Sequence, residues 1–314
     1  MINNKVLSFM LLCLAGALYS CSTNSEKKNA EDQVEVYKGI KAEGAELKIL
    51  SSDFKFTEGP AVNSNGDIFF TDQPNNKIVK WSASTGEFTT FLEPSGRANG
   101  TYFDANGNLI ACADMENQLW SIDQNGNVIV LVSDYDGMLL NGPNDVWINP
   151  KDGSMYITDP LYKRGYWTRD PEQQQDGRHL YYLSPDRSKF MRVDENLKQP
   201  NGVVGTPDGK NLYVADPGDK KTYVYDIETD GSLTNRKLFA GIGSDGMTVD
   251  NEGNVYLTNG GVVIFNKDGE QIEEIPTEEG TTNVAFGGSD RQTLFITAHK
   301  SVYTLETRVK GVVN

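Results

Sequence analysis

A chain of 314 residues with 44 acidic against 29 basic side chains carries a formal net charge of −15. This excludes nucleic-acid binding by phosphate neutralisation, which needs a basic surface. No long segment carries an apolar stripe at helical period, so a bundle or helical solenoid is excluded as well, and at this length one closed domain uses nearly the whole chain.

In chain order, Lys5 is followed by the apolar run VLSFMLLCLAGAL, short for a membrane span, and then by Leu18-Tyr19-Ser20-Cys21. The ending resembles a bacterial lipoprotein signal, although Tyr19 is larger than the small residue usual there. On this reading residues 1–21 hold the signal, cleaved before Cys21, and Cys21 is lipidated. The protein is then exported and held by its lipid on the bacterial cell envelope, facing the periplasm or the cell surface. An ordinary secretory signal with an unrelated cysteine is the alternative. Residues 22–44, which include STNSEKKNAEDQ, read as a flexible polar tether. Cys13 leaves with the signal and Cys112 stands alone in a strand, so there is no disulfide framework.

From residue 45 to 314 the chain repeats one plan. TEGPAVNSNGDIFFTDQ, RANGTYFDANGNLIACAD, GPNDVWINPKDGSMYITDP, PNGVVGTPDGKNLYVADP, SDGMTVDNEGNVYLTNG and TTNVAFGGSDRQTLFITAH are six copies of it. Each has a polar opening with glycine, an apolar strand, a turn with Gly or Asp, and a second apolar strand that ends in Thr or Ala plus a polar residue. Further strands follow most copies, and the spacing of about 40 residues is that of a four-stranded propeller blade. The expected fold is all-β, a six-bladed propeller of four-stranded antiparallel blades. AELKILSS, near residue 45, is expected to pair into the last blade and close the ring. Trp81, Trp120, Trp147, Phe69 and Tyr156 are read as blade packing.

In an up-and-down blade the connection into the first strand and the loop between the second and third strands share one face. SNG, ANG, KDG, PDG and NEG fall on the other face as structural turns. The opening residues Glu58, Asn99, Asn144, Asn201 and Asp245 then converge on the mouth of the central channel. Such a set of oxygen donors suits a hard cation. His179 and His299 lie outside any HExxH arrangement, which argues against zinc. No GxSxG elbow, Walker loop or dinucleotide fingerprint is present.

Glu58-Gly59-Pro60, Arg97-Ala98-Asn99-Gly100, Pro143-Asn144-Asp145-Val146, Pro200-Asn201-Gly202, Ser244-Asp245-Gly246-Met247 and LFITAHKSVYTLETRVKG resemble the gluconolactonase branch of the senescence marker protein (regucalcin) family. The resemblance runs from about residue 45 to the C-terminus. It implies a divalent cation, most often Ca2+, held by Glu58, Asn144, Asn201 and Asp245, and hydrolysis of a lactone by metal-assisted attack of water. Asp245 is the general base by position and by analogy, with Asp145 and Asp159 as alternatives. Animal members place an Arg two residues before the Asn that matches Asn144; here that position is Gly142. Arg97 on the preceding blade is a candidate replacement, Asn99 shares its opening, and His299 is either a proton carrier or a wall of the pocket.

The one irregular interval of the repeat is LYKRGYWTRDPEQQQDGRH, inserted between the second and third strands of the third blade on the metal face. Tyr166 and Trp167, with Tyr162, offer flat apolar surface to a substrate, and Lys163, Arg164 and Arg169 offer cations. Two rivals to a lactone hydrolase remain. One is an esterase or phosphotriesterase on the same metal; the other is a non-catalytic propeller that binds a ligand. The expected partner is a small lactone or ester; the membrane is met only through the lipid, and protein partners are unspecified.

Overall fold

The computed structural model describes residues 38–312. The signal, Cys21 and most of the tether lie outside the described residues.

The chain forms six four-stranded antiparallel blades, each ordered from its first strand outward. Blade one comprises Thr57–Val62, Ile68–Asp72, Lys77–Trp81 and Phe88–Leu92, and blade two Thr101–Phe103, Leu109–Ala113, Gln118–Ile122 and Val128–Val132. Blade three comprises Val146–Ile148, Met155–Asp159, His179–Leu183 and Phe190–Asp194, and blade four Val203–Gly205, Asn211–Asp216, Lys221–Ile227 and Leu233–Ala240. Blade five runs Met247–Val249, Val255–Asn259, Gly261–Phe265 and Gln271–Ile275. Blade six takes Asn283–Gly287, Thr293–Ala298 and Ser301–Glu306 from the C-terminal end and Lys48–Ser51 from the N-terminal side. Lys48 and Ile49 pair with Thr304 and Tyr303, so the ring is closed by hydrogen bonds between the two ends of the domain. Closure buries the two sheet faces that a linear array of blades would leave exposed at its ends.

The domain begins slightly earlier than residue 45. Ile40 is fully buried against blades five and six, its amide donates to the Glu273 carboxylate at 2.8 Å, and Lys41 bridges to Thr307. The apolar side chain of Ile40 draws this part of the polar segment onto the sheet edge.

Alternation along each strand builds the core. The second strands are buried on both sides, as in IFFTD and MYITD, because they lie between neighbouring blades. Trp147 stacks on Tyr156 with centroids 6.1 Å apart, and Phe69 meets Phe91 and Phe103 edge to face. Burial of each such ring contributes about 1.5–3 kcal/mol. Cys112 is buried and free among them.

First strands of neighbouring blades touch all the way round the axis. The channel they enclose is lined by Pro60, Thr101, Val203, Met247 and Val284, and Gly311 and Val312 of the C-terminal segment also line it. That segment crosses the face of the tight turns: Asn251 donates to Lys310, and Asp250 bridges to Gly311. A ligand therefore meets the channel from the opposite face, where the blade openings lie.

Candidate functional site

Each opening residue is set in place by the end of a second strand. In blade one the Asp72 carboxylate accepts from the amides of Lys55 and Phe56, three and two residues before Glu58. In blade three Asp159 accepts from Asn141 and Gly142 at 2.8 Å each, three and two residues before Asn144. In blade four Asp216 accepts from Lys198 and Gln199 at the same offset before Asn201. The preceding Thr reaches across to the next blade: the hydroxyls of Thr71, Thr158 and Thr258 donate to the carbonyls of Asn99, Asn201 and Thr282. This is the physical content of the recurring strand end, Thr or Ala plus a polar residue. Carboxylates and hydroxyls there consume backbone groups that no ladder satisfies and hold the openings in register.

The structure brings Glu58, Asn201 and Asp245 together at the channel mouth. Asn201 Nδ2 donates to Asp245 Oδ1 at 2.5 Å and to the Tyr162 hydroxyl at 3.0 Å. Glu58, only 2% exposed, accepts from the Gly59 amide at 3.1 Å and from Asn283 Nδ2 at 3.4 Å. Burial and the Asp245 charge push the Glu58 carboxyl well above the usual range. Burial pushes Asp245 up to about 6, opposed by the Asn201 amide, the Arg164 charge and a hydrogen bond with the Glu58 carboxyl. Neither carboxyl has an ion-pair partner within 4.0 Å among the described residues. Asn144 and Asn99 are buried at the adjoining openings. The backbone carbonyl of Asn144 accepts from Gly100 at 2.6 Å, which ties blades two and three together at the rim. Gly59 must stay glycine, because a Cβ there would collide with the backbone carbonyl of Asn99 and its φ is +45°.

No cluster of three or more His, Cys, Asp or Glu suited to a metal occurs among the described residues. The donors here are two carboxylates with amide oxygens, a set that fits a hard cation such as calcium and gives no nitrogen or sulfur for zinc. Two buried carboxyls side by side, beside amides able to present oxygen, are what such a cation relieves.

The other candidates divide. Asp145 and Asp159, both pushed up to about 7 chiefly by burial, have both oxygens engaged. Asp145 accepts from the amides of Val146 and Val203, and Asp159 from those of Asn141 and Gly142. Arg97 is committed to structure: its Nη1 donates to the carbonyls of Gln73 and Pro74, and its guanidinium lies 4.5 Å from the Tyr166 ring. His299, exposed, meets the Phe56 ring edge to face at 5.4 Å, and its carbonyl accepts from Thr57. It stands at the rim, with a field that reaches Asp245.

The insertion lies on this face and is stapled to it. Asn141 Oδ1 accepts from the amides of Gln174 and Gln175, and Gln175 Nε2 donates to the carbonyls of Met138 and Leu139. Arg169 Nη2 donates to the Asn141 carbonyl at 2.8 Å and pairs with Asp114 at 3.4 Å, while its guanidinium lies 3.6 Å from the Trp167 ring. Trp167 thus serves to hold Arg169. Burial pushes Asp114 up to about 6 against the pull of Arg164 and Arg169. A Cβ at Gly142 would collide with the Asp114 carboxylate and stand 2.7 Å from Arg169 Nη2. The space that a side chain at 142 would take is filled by the guanidinium of the insertion. The buried hydroxyl of Tyr166 has no hydrogen-bond partner among the described residues.

Two members of the mouth escape a reading by motif. Asn283 opens the sixth copy and contacts Glu58; its place in TTN, where other copies carry Glu, Asn or Asp, is the signal that marks it. Tyr162 reaches Asn201 from the insertion, and no local pattern announces that contact.

Residues 56–300 match the model of the SMP-30/gluconolactonase/LRE-like region. The gluconolactonase of Zymomonas mobilis is 30% identical over 298 residues, covering 84% of this chain and 82% of that protein. The pentonolactonase of Haloferax volcanii is 26% identical, covering 80% of this chain and 84% of the relative. Among solved structures, the gluconolactonase of Xanthomonas campestris superposes with a TM-score of 0.80 at 29% identity, over 85% of this chain and 91% of that one. The calcium-binding protein regucalcin of Agrobacterium tumefaciens shares the fold, with a TM-score of 0.71 at 18% identity over 86% and 96% of the two chains.

Proposed function

The chain belongs to the SMP-30/gluconolactonase/LRE-like family, and from that premise we propose that it is a lactone hydrolase whose site is the channel mouth formed by Glu58, Asn144, Asn201 and Asp245. The observation that carries the reading is the convergence of Glu58, Asn201 and Asp245 from three blades, with two buried carboxyls and no cationic side chain paired to either among the described residues. The relatives named for gluconolactone and pentonolactone hydrolysis support the reaction class.

Glu58, Asn144, Asn201 and Asp245 would hold a divalent cation, most consistently calcium, with their side-chain oxygens. When bound, the cation supplies a Lewis acid for the lactone carbonyl oxygen. The protein's own groups do the rest. Asp245, held by the Asn201 amide and by a hydrogen bond with the Glu58 carboxyl, has no backbone amide on its carboxylate and would take a proton from the attacking water. Asp145 and Asp159 have both oxygens on backbone amides, which supports Asp245 as the base. Water oxygen bonds to the carbonyl carbon, the bond from that carbon to the ring oxygen breaks, and the ring oxygen receives the proton, giving a hydroxy acid. Asp72, Asp159 and Asp216 hold the ligand-bearing openings in position, and Tyr162 orients Asn201. Export and attachment of a lipid to Cys21 belong to the same proposal; they rest on the N-terminal sequence alone.

Isothermal titration should show one calcium site in the wild type and none in Asp245→Ala; equal stoichiometry in both would refute the assignment. Turnover of aldonolactones, aliphatic lactones and aryl esters in the presence of calcium then tests the reaction. Faster turnover of esters would favour the esterase alternative, and calcium binding without any turnover would favour a binding propeller.

A further inference from the structure

Four cationic side chains lie in the insertion and Arg97 lies against it; four of the five are already spent, Arg178 on the Lys198 carbonyl at 3.1 Å. Lys163 pairs with Glu172 at 2.8 Å in solvent. Arg169 is held by Asp114 and the Asn141 carbonyl, and Arg97 by the carbonyls of Gln73 and Pro74. Arg164 differs. Its side chain makes no hydrogen bond or ion pair with a described residue, and its Nε is buried without a partner. The guanidinium lies over ring faces, 5.4 Å from the Tyr162 centroid and 5.7 Å from that of Phe56, and its charge is felt by the Asp114, Asp245 and Glu58 carboxyls without an ion pair to any of them.

Those two rings place it over the channel mouth. The Tyr162 hydroxyl accepts from the same Asn201 nitrogen that donates to Asp245, and Phe56 stands two residues before Glu58. The buried, unpartnered hydroxyl of Tyr166 lies in the same segment. Aromatic faces hold a guanidinium in one orientation while leaving its N–H donors open, so the arrangement is ready for planar, paired hydrogen bonds to an oxyanion. The open N–H donors of Arg164 are the groups that an anionic ligand would satisfy.

We propose that Arg164 is the substrate-anchoring cation of this site and that the lactone it receives carries an anionic oxygen group of its own, a carboxylate or a phosphate monoester. The proposal rests on the lactone hydrolase reading for the word lactone; the anion preference is independent of it.

The test compares wild type, Arg164→Lys and Arg164→Gln, each first titrated with calcium to show an intact site. Relative kcat/KM is measured on gluconolactone, glucarolactone and phosphogluconolactone, and binding of methyl glucuronide against methyl glucoside is followed by calorimetry. The wild type should favour an anionic lactone over gluconolactone by roughly 10- to 100-fold, the range of a charge-assisted contact. The larger of the two preferences names the group. Arg164→Gln should bring that ratio near unity and abolish binding of methyl glucuronide, and Arg164→Lys should retain part of both. Equal handling of charged and neutral lactones by the wild type would overturn the proposal. So would an equal loss on all three in Arg164→Gln, or a rise in calcium affinity with no change in anion preference, which would make Arg164 a counter-ion of the carboxylates. Should no lactone be turned over while methyl glucuronide binds through Arg164, the hydrolase reading fails and the anion site stands.

Discussion

Replacing Gly142 by alanine should loosen the insertion from blade three while leaving the blades folded. The residue has φ +141°, a conformation that costs an L-residue about 1–3 kcal/mol. The new Cβ would also collide with the Asp114 carboxylate and stand 2.7 Å from Arg169 Nη2. Relief comes most directly by expelling the guanidinium, which breaks its 2.8 Å bond to the Asn141 carbonyl and its contact with Asp114. Loss of a buried pair costs about 3–5 kcal/mol when a bare charge is left behind. Asp114, already pushed up to about 6, can take up a proton, so the lower end applies. A local cost of about 3 kcal/mol corresponds to a roughly 150-fold larger local opening constant. Hydrogen exchange at the amides of Gln174 and Gln175, which donate to Asn141 Oδ1, reads it directly. Arg169→Ala should reproduce most of the effect, and the double variant should be less than additive, since the guanidinium is then already gone. Unchanged exchange at these two amides in Gly142→Ala, with a lowered Tm for the whole domain, would refute the reasoning: the strain would then be borne by the blade, and Arg169 would be no latch.

The metal-free protein should lose stability as pH rises. Asp245 is raised in the folded state to about 6 and Asp145 and Asp159 to about 7, all above the ordinary 3.8, so their contribution is full below that value and is lost as pH climbs through the folded values. Calcium favours the ionised carboxylates, and its stabilisation should therefore grow with pH; thermal melts with and without calcium at pH 5 and pH 8 should show a larger calcium shift at pH 8, and equal shifts would contradict the assignment of Glu58 and Asp245 as ligands. At the N-terminus, Cys21→Ala should abolish incorporation of labelled fatty acid and release the protein from the membrane fraction, and a variant that still takes up the label would show that the anchor lies elsewhere.

The repeat of polar opening, strand, turn and strand was enough to determine six blades, their four-stranded make-up and the face on which Glu58, Asn201 and Asp245 meet. Period-two alternation and turn residues at regular spacing are local properties, and a closed ring is the arrangement that buries so many two-sided strands. Even the strand ends were visible as Thr or Ala plus a polar residue, although the grip of the carboxylates on their own blade's opening and the reach of the threonines to the next blade emerge only when the blades are set side by side. Distance along the chain hides the rest. Tyr162 and Arg164 reach the mouth from an insertion whose path is governed by Arg169 on Asp114, from blade two, and by Asn141 on Gln174 and Gln175. The cations there, Arg97, Lys163, Arg164 and Arg169, are equivalent in composition, and only packing decides which are consumed by carbonyls and carboxylates and which is left facing the site. Likewise Asp145, Asp159 and Asp245 are alike as letters; the backbone amides that occupy both oxygens of the first two, and the single amide on the third, belong to tertiary structure, because hydrogen-bond satisfaction depends on neighbours that converge in space from separate turns of the chain.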